Sequence, residues 1–305
     1  MATYANDEDI AQCNPKLNNA WQNTCKVLFG KEIGELMEFR EYLKRYTDPI
    51  EKRKSVLSGK EVTISSKRIP KNAVVIGYEE VEVYENKTAG MQLDVRKFHE
   101  FTDSCDRIAG HLDVRKFQDL RTASGRRPLD INNIKDIDSI IETLGEKACY
   151  AGNIVLGNSG HIQSSHRCIN TFYAMECQDV YDGKYVAFTT SIRSPEYSFG
   201  CCFGGEIQFC IKVLDPHKQM RCFETFHCNV VTDSYYSASL EDCSNCLFSF
   251  NQRNKHYLIG NVPLARDKYA ALKSKLTKEI ADDLERKKSL QSVIEIISGK
   301  GEWNG

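Results

Sequence analysis

A chain of 305 residues, 41% hydrophobic and 27% charged, is long enough to bury one large or two ordinary cores. Its formal net charge of -1 gives no general attraction to nucleic acid or to an anionic membrane. No run approaches the ~18 apolar residues of a membrane-spanning helix, and the opening MATYANDEDIAQ lacks the apolar stretch of a secretory signal, so a cytoplasmic protein is expected.

Residues 1–30 read as a polar lead-in with little periodicity. A helix is expected from about Ile33 to Tyr46, with Leu36, Phe39 and Leu43 on one face and Pro49 ending it. A short β unit follows. Val62, Ile64 and Ser66 alternate with polar neighbours, Pro70-Lys71-Asn72 turns, and Val74, Val75 and Ile76 open a strand that runs on toward Tyr84. AGMQLDVRKF at 89–98 recurs as AGHLDVRKF at 109–117, which reads as two short helices capped by Asp94 and Asp113. The pairs Arg96-Lys97 and Arg115-Lys116, and the basic loop 121–128, read as solvated basic surface, with an anion site as the alternative. A third helix is expected near Ile134 to Leu144, stopped by Gly145. Residues 1–150 thus read as a mainly helical N-terminal domain with a small β unit.

From Ile162 to Cys246 every sixth residue is apolar or small: Ile162, Cys168, Ala174, Val180, Val186, Ile192, Ser198, Gly204, Cys210, Pro216, Cys222, Cys228, Ser234, Leu240, Cys246. A helix repeats at 3.6 residues and a strand at 2, so neither produces this series. It predicts an α+β protein whose residues 151–264 form a β-solenoid of about five rungs, each of about 18 residues in three short strands and three turns. That register would stack Cys210, Cys228 and Cys246. A second small set lies midway, including Ser165, Thr171, Cys177, Gly183 and Thr189, so the bore should be narrow. Phe and Tyr between these sets must in part face outward. After Pro263 a single helix is expected from Arg266 to Ser298, about 50 Å long, within a C-terminal segment 265–305. Its apolar face is Tyr269, Leu272, Leu276, Ile280, Leu284, Leu290, Val293, Ile294 and Ile297. The N-terminal domain can cover one end of the solenoid, and the long helix is expected to lie against its flank, its other end or a partner helix.

The chain has 13 cysteines. An odd total without a signal argues against a disulfide framework. Reduced thiols fill a core as small hydrophobes, or they bind metal. Cys243-Ser-Asn-Cys246 with Cys222 and Cys228, or with Cys201-Cys202, could supply four thiolates to zinc or iron in a redox or regulatory role. His161 and His166, five apart, and His217 are what a hexapeptide-repeat-like transferase or lyase would use. Gly200-Cys-Cys-Phe-Gly204-Gly205 is not a phosphate loop, and no nucleophile elbow is present, so no catalytic residue is assigned. The leading expectation is a non-enzymatic structural or interaction protein. It would form a homo-oligomer or hold a protein partner through its cysteine- and aromatic-rich solenoid faces or its long helix.

The segment Tyr235–Tyr269 carries Cys243-Ser-Asn-Cys246, Phe248, Asn251, Asn254-Lys255, Tyr257, Ile259, Asn261 and Lys268-Tyr269. It resembles cysteine-rich repeat proteins of archaea and of little-studied bacterial lineages. There, aromatic- and cysteine-rich repeats lead into an N-K-x-Y-x-I-x-N-like segment and then a charged helix. The resemblance covers the C-terminal half and implies an architecture without an activity.

Overall fold

A computed structural model describes residues 7–56, 58–67, 69, 71, 73–80, 137–138, 141, 149–205, 210–212, 217–219, 223–225 and 229–299. The chain divides into two compact units, Met1–Asp48 with Val155–Gly305, and Pro49–Ile154. The duplicated segment 89–121 and the basic loop 121–128 lie outside the described residues. Of the helix expected at 134–144, residues 137, 138 and 141 are described, and they are helical.

The expected polar lead-in is instead a helix, α1 (Asp7–Phe29). Leu17, Ala20, Trp21, Cys25 and Leu28 are buried along it at spacings of three and four, the stripe of a core-facing helix. Interleaved asparagines and glutamine mask that stripe in the sequence, and they bond the chain that follows. Asn18 Oδ1 accepts from the Leu36 N–H at 2.9 Å, and Trp21 Nε1 donates to the Gly34 carbonyl at 3.0 Å. The single helix expected over 33–46 is a 3-10 turn (Leu36–Phe39) followed by one short helix, α2 (Arg40–Lys44).

In the second unit, β1 (Ile50–Lys54) pairs antiparallel with β2 (Glu61–Ser65), and β3 (Val74–Gly77) pairs parallel with β4 (Cys149–Gly152). The strands at 61–65 and 74–77 are where the alternation of Val62 and Ile64 and the run Val74–Ile76 place them. Val62, Ile64, Ile69 and Val75 form the unit's own core.

The solenoid follows: β5 (Val155–Leu156), β6 (Gly160–Gln163), β7 (His166–Ile169), β8 (Phe172–Met175), β9 (Gln178–Tyr181), β10 (Lys184–Ala187), β11 (Thr190–Arg193), β12 (Glu196–Phe199), β13 (Cys202–Gly205) and β14 (Cys210–Ile211). It continues with β15 (His217–Gln219), β16 (Asn229–Val231), β17 (Ala238–Glu241), β18 (Ser244–Leu247), β19 (Phe250–Arg253), β20 (His256–Ile259) and β21 (Val262–Pro263). Strands alternate between two walls. One is a nine-stranded sheet ordered β19-β17-β16-β15-β13-β11-β9-β7-β5; the other is a five-stranded sheet, β14-β12-β10-β8-β6, with β18-β20-β21 forming a further sheet. Lys184 lies opposite both Phe172 and Glu196, so the turn is 12 residues long and contains two strands, not 18 residues and three.

Six residues are half a turn, which is why the sequence shows a six-residue beat. A step of 18 is one and a half turns and alternates walls, so the expected stack of Cys210, Cys228 and Cys246 does not form. Cys210 lies opposite Ser198, Cys246 lies opposite Leu258, and Cys228 is outside the described residues. The finer unit is a triplet. From His161 to Phe203 every third residue has positive φ, between +44° and +58° apart from Gly200 at +72°. The residue after it faces the bore, so both small sets of the sequence line the interior: Ile162, Cys168, Ala174, Cys177, Val180, Val186 and Ile192 are all fully buried. Left-handed backbone costs a non-glycine residue roughly 1–2 kcal/mol. Asn170, Asp182 and Ser194 meet this with short polar side chains, and Tyr173, Tyr185 and Tyr197 with a stack whose centroids are 5.2 Å apart.

The C-terminal helix is also divided. α3 (Arg266–Lys287) ends at Lys288, φ +55°, and α4 (Val293–Ser298) restarts on a capping box made by Ser292 and Glu295. At 1.5 Å per residue, α3 is about 33 Å long rather than 50 Å. The helices clothe the flank of the solenoid more than its ends. α1 lies across β6, β8, β10 and β12 on the outer face of the five-stranded wall. The C-terminal rung ends in β21, which folds back antiparallel on β20.

Candidate functional site

The bore offers no room for a ligand along its described length, because hydrogen bonds as well as side chains close it. Corner residues point inward and donate to the carbonyl two residues earlier: Thr171 Oγ1 to Ile169 at 3.0 Å, Thr189 Oγ1 to Ala187 at 3.0 Å, and Ser237 Oγ to Tyr235 at 2.9 Å. Several also accept an N–H from the next turn, as Ser165 Oγ does from Cys177 and Ser237 Oγ from Ser249, at 2.9 and 3.1 Å. Cysteine stands in for serine at these places. Cys177 Sγ donates to the Met175 carbonyl at 3.2 Å, and Cys243 Sγ to Glu241 at 3.2 Å. A corner thiol is therefore a donor as well as a small apolar filler. Cys243→Ser is expected to change stability by less than about 1 kcal/mol. Ser237→Ala, which strands the buried Ser249 N–H, should cost about 1–3 kcal/mol; urea denaturation of the two variants measures the contrast.

Of the four proposed thiolate ligands, Cys222 and Cys228 lie outside the described residues. Cys243 and Cys246 are buried and free. Cys246 Sγ donates to the Ser244 carbonyl at 3.5 Å, and burial pushes its thiol up to about 11. Cys201, of the alternative pair, is buried, with its Sγ 3.9 Å from the Phe203 carbonyl oxygen. Among the described residues no group of three or more His, Cys, Asp or Glu is placed to hold a metal ion. The three histidines are spread over both walls. His161 lies in β6 and stacks on Tyr173 at 4.6 Å, whereas His166 and His217 begin β7 and β15 of the opposite sheet.

The chemistry collects instead on the helix-clad wall. Met175, Ala187, Phe199, Ile211 and Phe223 form a ladder at 12-residue steps that packs under Trp21, Phe29, Phe39 and Leu43. Trp21 meets Phe199 edge-on at 5.5 Å, and Phe29 meets Phe223 edge-on at 5.0 Å. Gly200, the positive-φ residue of its triplet, lets α2 come close: a Cβ there would stand 2.8 Å from the Leu43 carbonyl oxygen.

Beside this ladder, at the neighbouring positive-φ positions, stand Glu176, Lys212 and Glu224. Glu176 receives Arg40 Nε at 2.8 Å and Lys44 Nζ at 2.6 Å. Burial pushes its carboxyl up, but the two cations outweigh that and hold it below the usual carboxylate range. Its contribution is thus complete above the unfolded value and is lost as pH falls through the depressed one. Glu176→Gln should cost about 1–2 kcal/mol at neutral pH. The difference from wild type should vanish in acid, as read by denaturation at a series of pH values.

Lys212 and Glu224 form an ion pair inside the protein. Lys212 Nζ lies 2.6 Å from Glu224 Oε1, with side chains 2% and 3% exposed. The ammonium sits 3.8 Å from the centre of the Tyr42 ring, the Tyr42 hydroxyl donates to Glu224 Oε1 at 3.2 Å, and the Val293 N–H donates to Oε2 at 3.1 Å. Next to it, Tyr46 and Ser292 share a hydroxyl–hydroxyl hydrogen bond, and Arg45 reaches Glu295 at 2.9 Å. One carboxylate thereby joins α2, the solenoid and the start of α4. Burial drives both partners toward their neutral forms, Lys212 below its ordinary pKa and Glu224 above its own, each opposed by the other's charge.

A groove of about 750 Å³ lies further along this flank, between α3, the 289–296 segment and the Tyr236–Phe248 step of the solenoid. Its floor is apolar and its rim is charged. Sequence reasoning named the apolar residues Leu276, Ile280 and Leu290 of this groove as a helix face but not the ion pair, because Lys212 and Glu224 are ordinary charged residues until the 12-residue turn stacks them. Among the described residues no helix is long and apolar enough to cross a membrane. Comparison with family models, curated proteins and solved structures gives no match.

Proposed function

We propose that this protein is a structural and interaction scaffold that works through its outer surface and performs no catalysis. The observation that carries this reading is the closed bore. From Ile162 to Cys201 the inward side chains are buried and mostly small, and hydroxyls and thiols such as those of Thr171, Cys177 and Thr189 are engaged by the main chain. The polar groups that chemistry would need are thus committed to holding the rungs together. The charged groups of the helix-clad wall are tied in the same way, since Glu176, Lys212 and Glu224 each bind residues that anchor a helix. A rigid stack clothed by helices on one flank supports binding to another macromolecule, a second copy or a protein partner, better than turnover of a small molecule. A reducing, cytoplasmic setting belongs to the same reading, because corner thiols must stay reduced to donate.

The test is cross-linking with mass spectrometry on the full-length protein in its native extract, combined with its mass in solution. Defined cross-links to a second copy or to one partner support the scaffold. A strictly monomeric protein that cross-links to nothing overturns it.

A further inference from the structure

Along α3 the groove is lined by Leu276, Glu279, Ile280, Asp282, Asp283, Arg286 and Lys287, with Asp282 held by Lys31. Reversed about Asp283, the last two turns of α3 carry complementary groups: Glu279 falls on Lys287, and Ile280 on Arg286, whose aliphatic stem can lie over it. Asp283 falls on its own copy and is neutralised there by Arg286 and Lys287, which it contacts within the chain.

A surface that is complementary to itself under reversal is what a two-fold contact requires, since residue i must meet j while j meets i. The charged rim stands out in solvent: the Glu279 side chain is 60% exposed and that of Lys287 54% exposed. Apolar surface is left uncovered beside it. Ile296, which lines the groove, is 39% exposed, and Ile297 on the same helix is 54% exposed. The C-terminal rung, in contrast, is finished against stacking. Gln252 takes the bore position below Leu240 and donates to the carbonyls of Phe250 and Asn251 in its own edge strand, while Asn261 Oδ1 accepts the Phe250 N–H. Rung-on-rung addition at that end is therefore disfavoured.

We propose that the groove between α3 and α4 is the dimer surface of this protein, where a second copy docks with its α3 antiparallel and Glu279 of each chain faces Lys287 of the other. This deepens the scaffold reading and rests on it.

Sedimentation velocity over a wide concentration range tests the proposal. The protein should sediment as a reversible dimer. Glu279→Lys alone and Lys287→Glu alone should each weaken association about tenfold or more, because each places like charges together twice in a two-fold interface. The double variant should recover to within about threefold of wild type, and Lys268→Glu, exposed on the same helix, should leave association unchanged. Circular dichroism confirms that the surface variants remain folded. A wild-type monomer at every concentration overturns the proposal. So does a dimer indifferent to the charge exchange, in which case the scaffold reading stands with a different surface. Only a monomer that also cross-links to no partner removes both.

Discussion

Glu224→Ala is expected to destabilise the solenoid unit by about 3–5 kcal/mol, the cost of leaving one member of a buried ion pair without its partner. Lys212 would remain 2% exposed with its ammonium 3.8 Å from the Tyr42 ring centre and without the carboxylate. The Val293 N–H at the start of α4 would lose its acceptor too. Glu224→Gln should cost less, because an amide oxygen can still accept from Val293. Replacing both residues, Lys212→Met with Glu224→Leu, should cost less than Glu224→Ala, since no buried charge remains and only the Val293 N–H and the Tyr42 hydroxyl lose their acceptor. The double-mutant cycle isolates the coupling of the pair. The chain has two compact units, so a single melting curve would mix them. Amide hydrogen exchange read over residues 210–225 and 289–298 reports the relevant opening. A single truncation costing no more than the ~1 kcal/mol of a surface pair would refute this account. The pH dependence carries two opposite signs. The raised Glu224 pKa makes stability fall as pH rises just above the usual carboxylate range. The lowered Lys212 pKa makes it rise with pH below the usual lysine range.

The solenoid itself was legible, because a small residue at every sixth position has no helical or flat-strand explanation. The length of its turn was not legible from that series alone, since 12 and 18 are both multiples of six. Other residues carried the answer. His161, Tyr173, Tyr185 and Tyr197 recur at 12, as do Asn170, Asp182 and Ser194, and these outward residues distinguish one wall from the other. Interior residues cannot do so, because both walls want the same small side chains. The missed helix α1 has a physical cause as well. Its buried stripe, Leu17 to Leu28, is flanked by Asn18, Asn19, Gln22 and Asn23, which lower its mean hydropathy although they leave its spacing intact. The break at Lys288 was hidden because a lysine, not a glycine, takes the left-handed cap position. The buried pair is illegible in principle without the fold: Lys212 and Glu224 are one turn apart, and a spacing of 12 has no meaning until the turn is known.

Excising Lys184–Pro195 is expected to leave a folded, shorter solenoid, whereas excising Gln178–Pro195 is expected to destroy it. Both cuts keep the six-residue beat of the bore, so a purely interior argument would not distinguish them. The first removes one turn of 12. It sets Tyr173 beside Tyr197 and Met175 beside Phe199, as neighbours of the same ladders, and moves the later turns one rung along α1 without changing the wall they belong to. In a stack of repeats the penalty is one repeat and its interfaces. The second removes 18 residues, one and a half turns. Every later residue then moves to the opposite wall, and Phe199 takes the place of Tyr181. Phe199, Ile211 and Phe223 leave the cover of Trp21, Phe29 and Phe39, and each large apolar side chain returned to water forfeits about 1.5–3 kcal/mol. Lys212 and Glu224 leave α2 and α4 at the same time. Soluble yield, circular dichroism and hydrogen exchange of the two deletions decide between turn lengths. A chain wound in turns of 18 would tolerate the longer cut and fail on the shorter one.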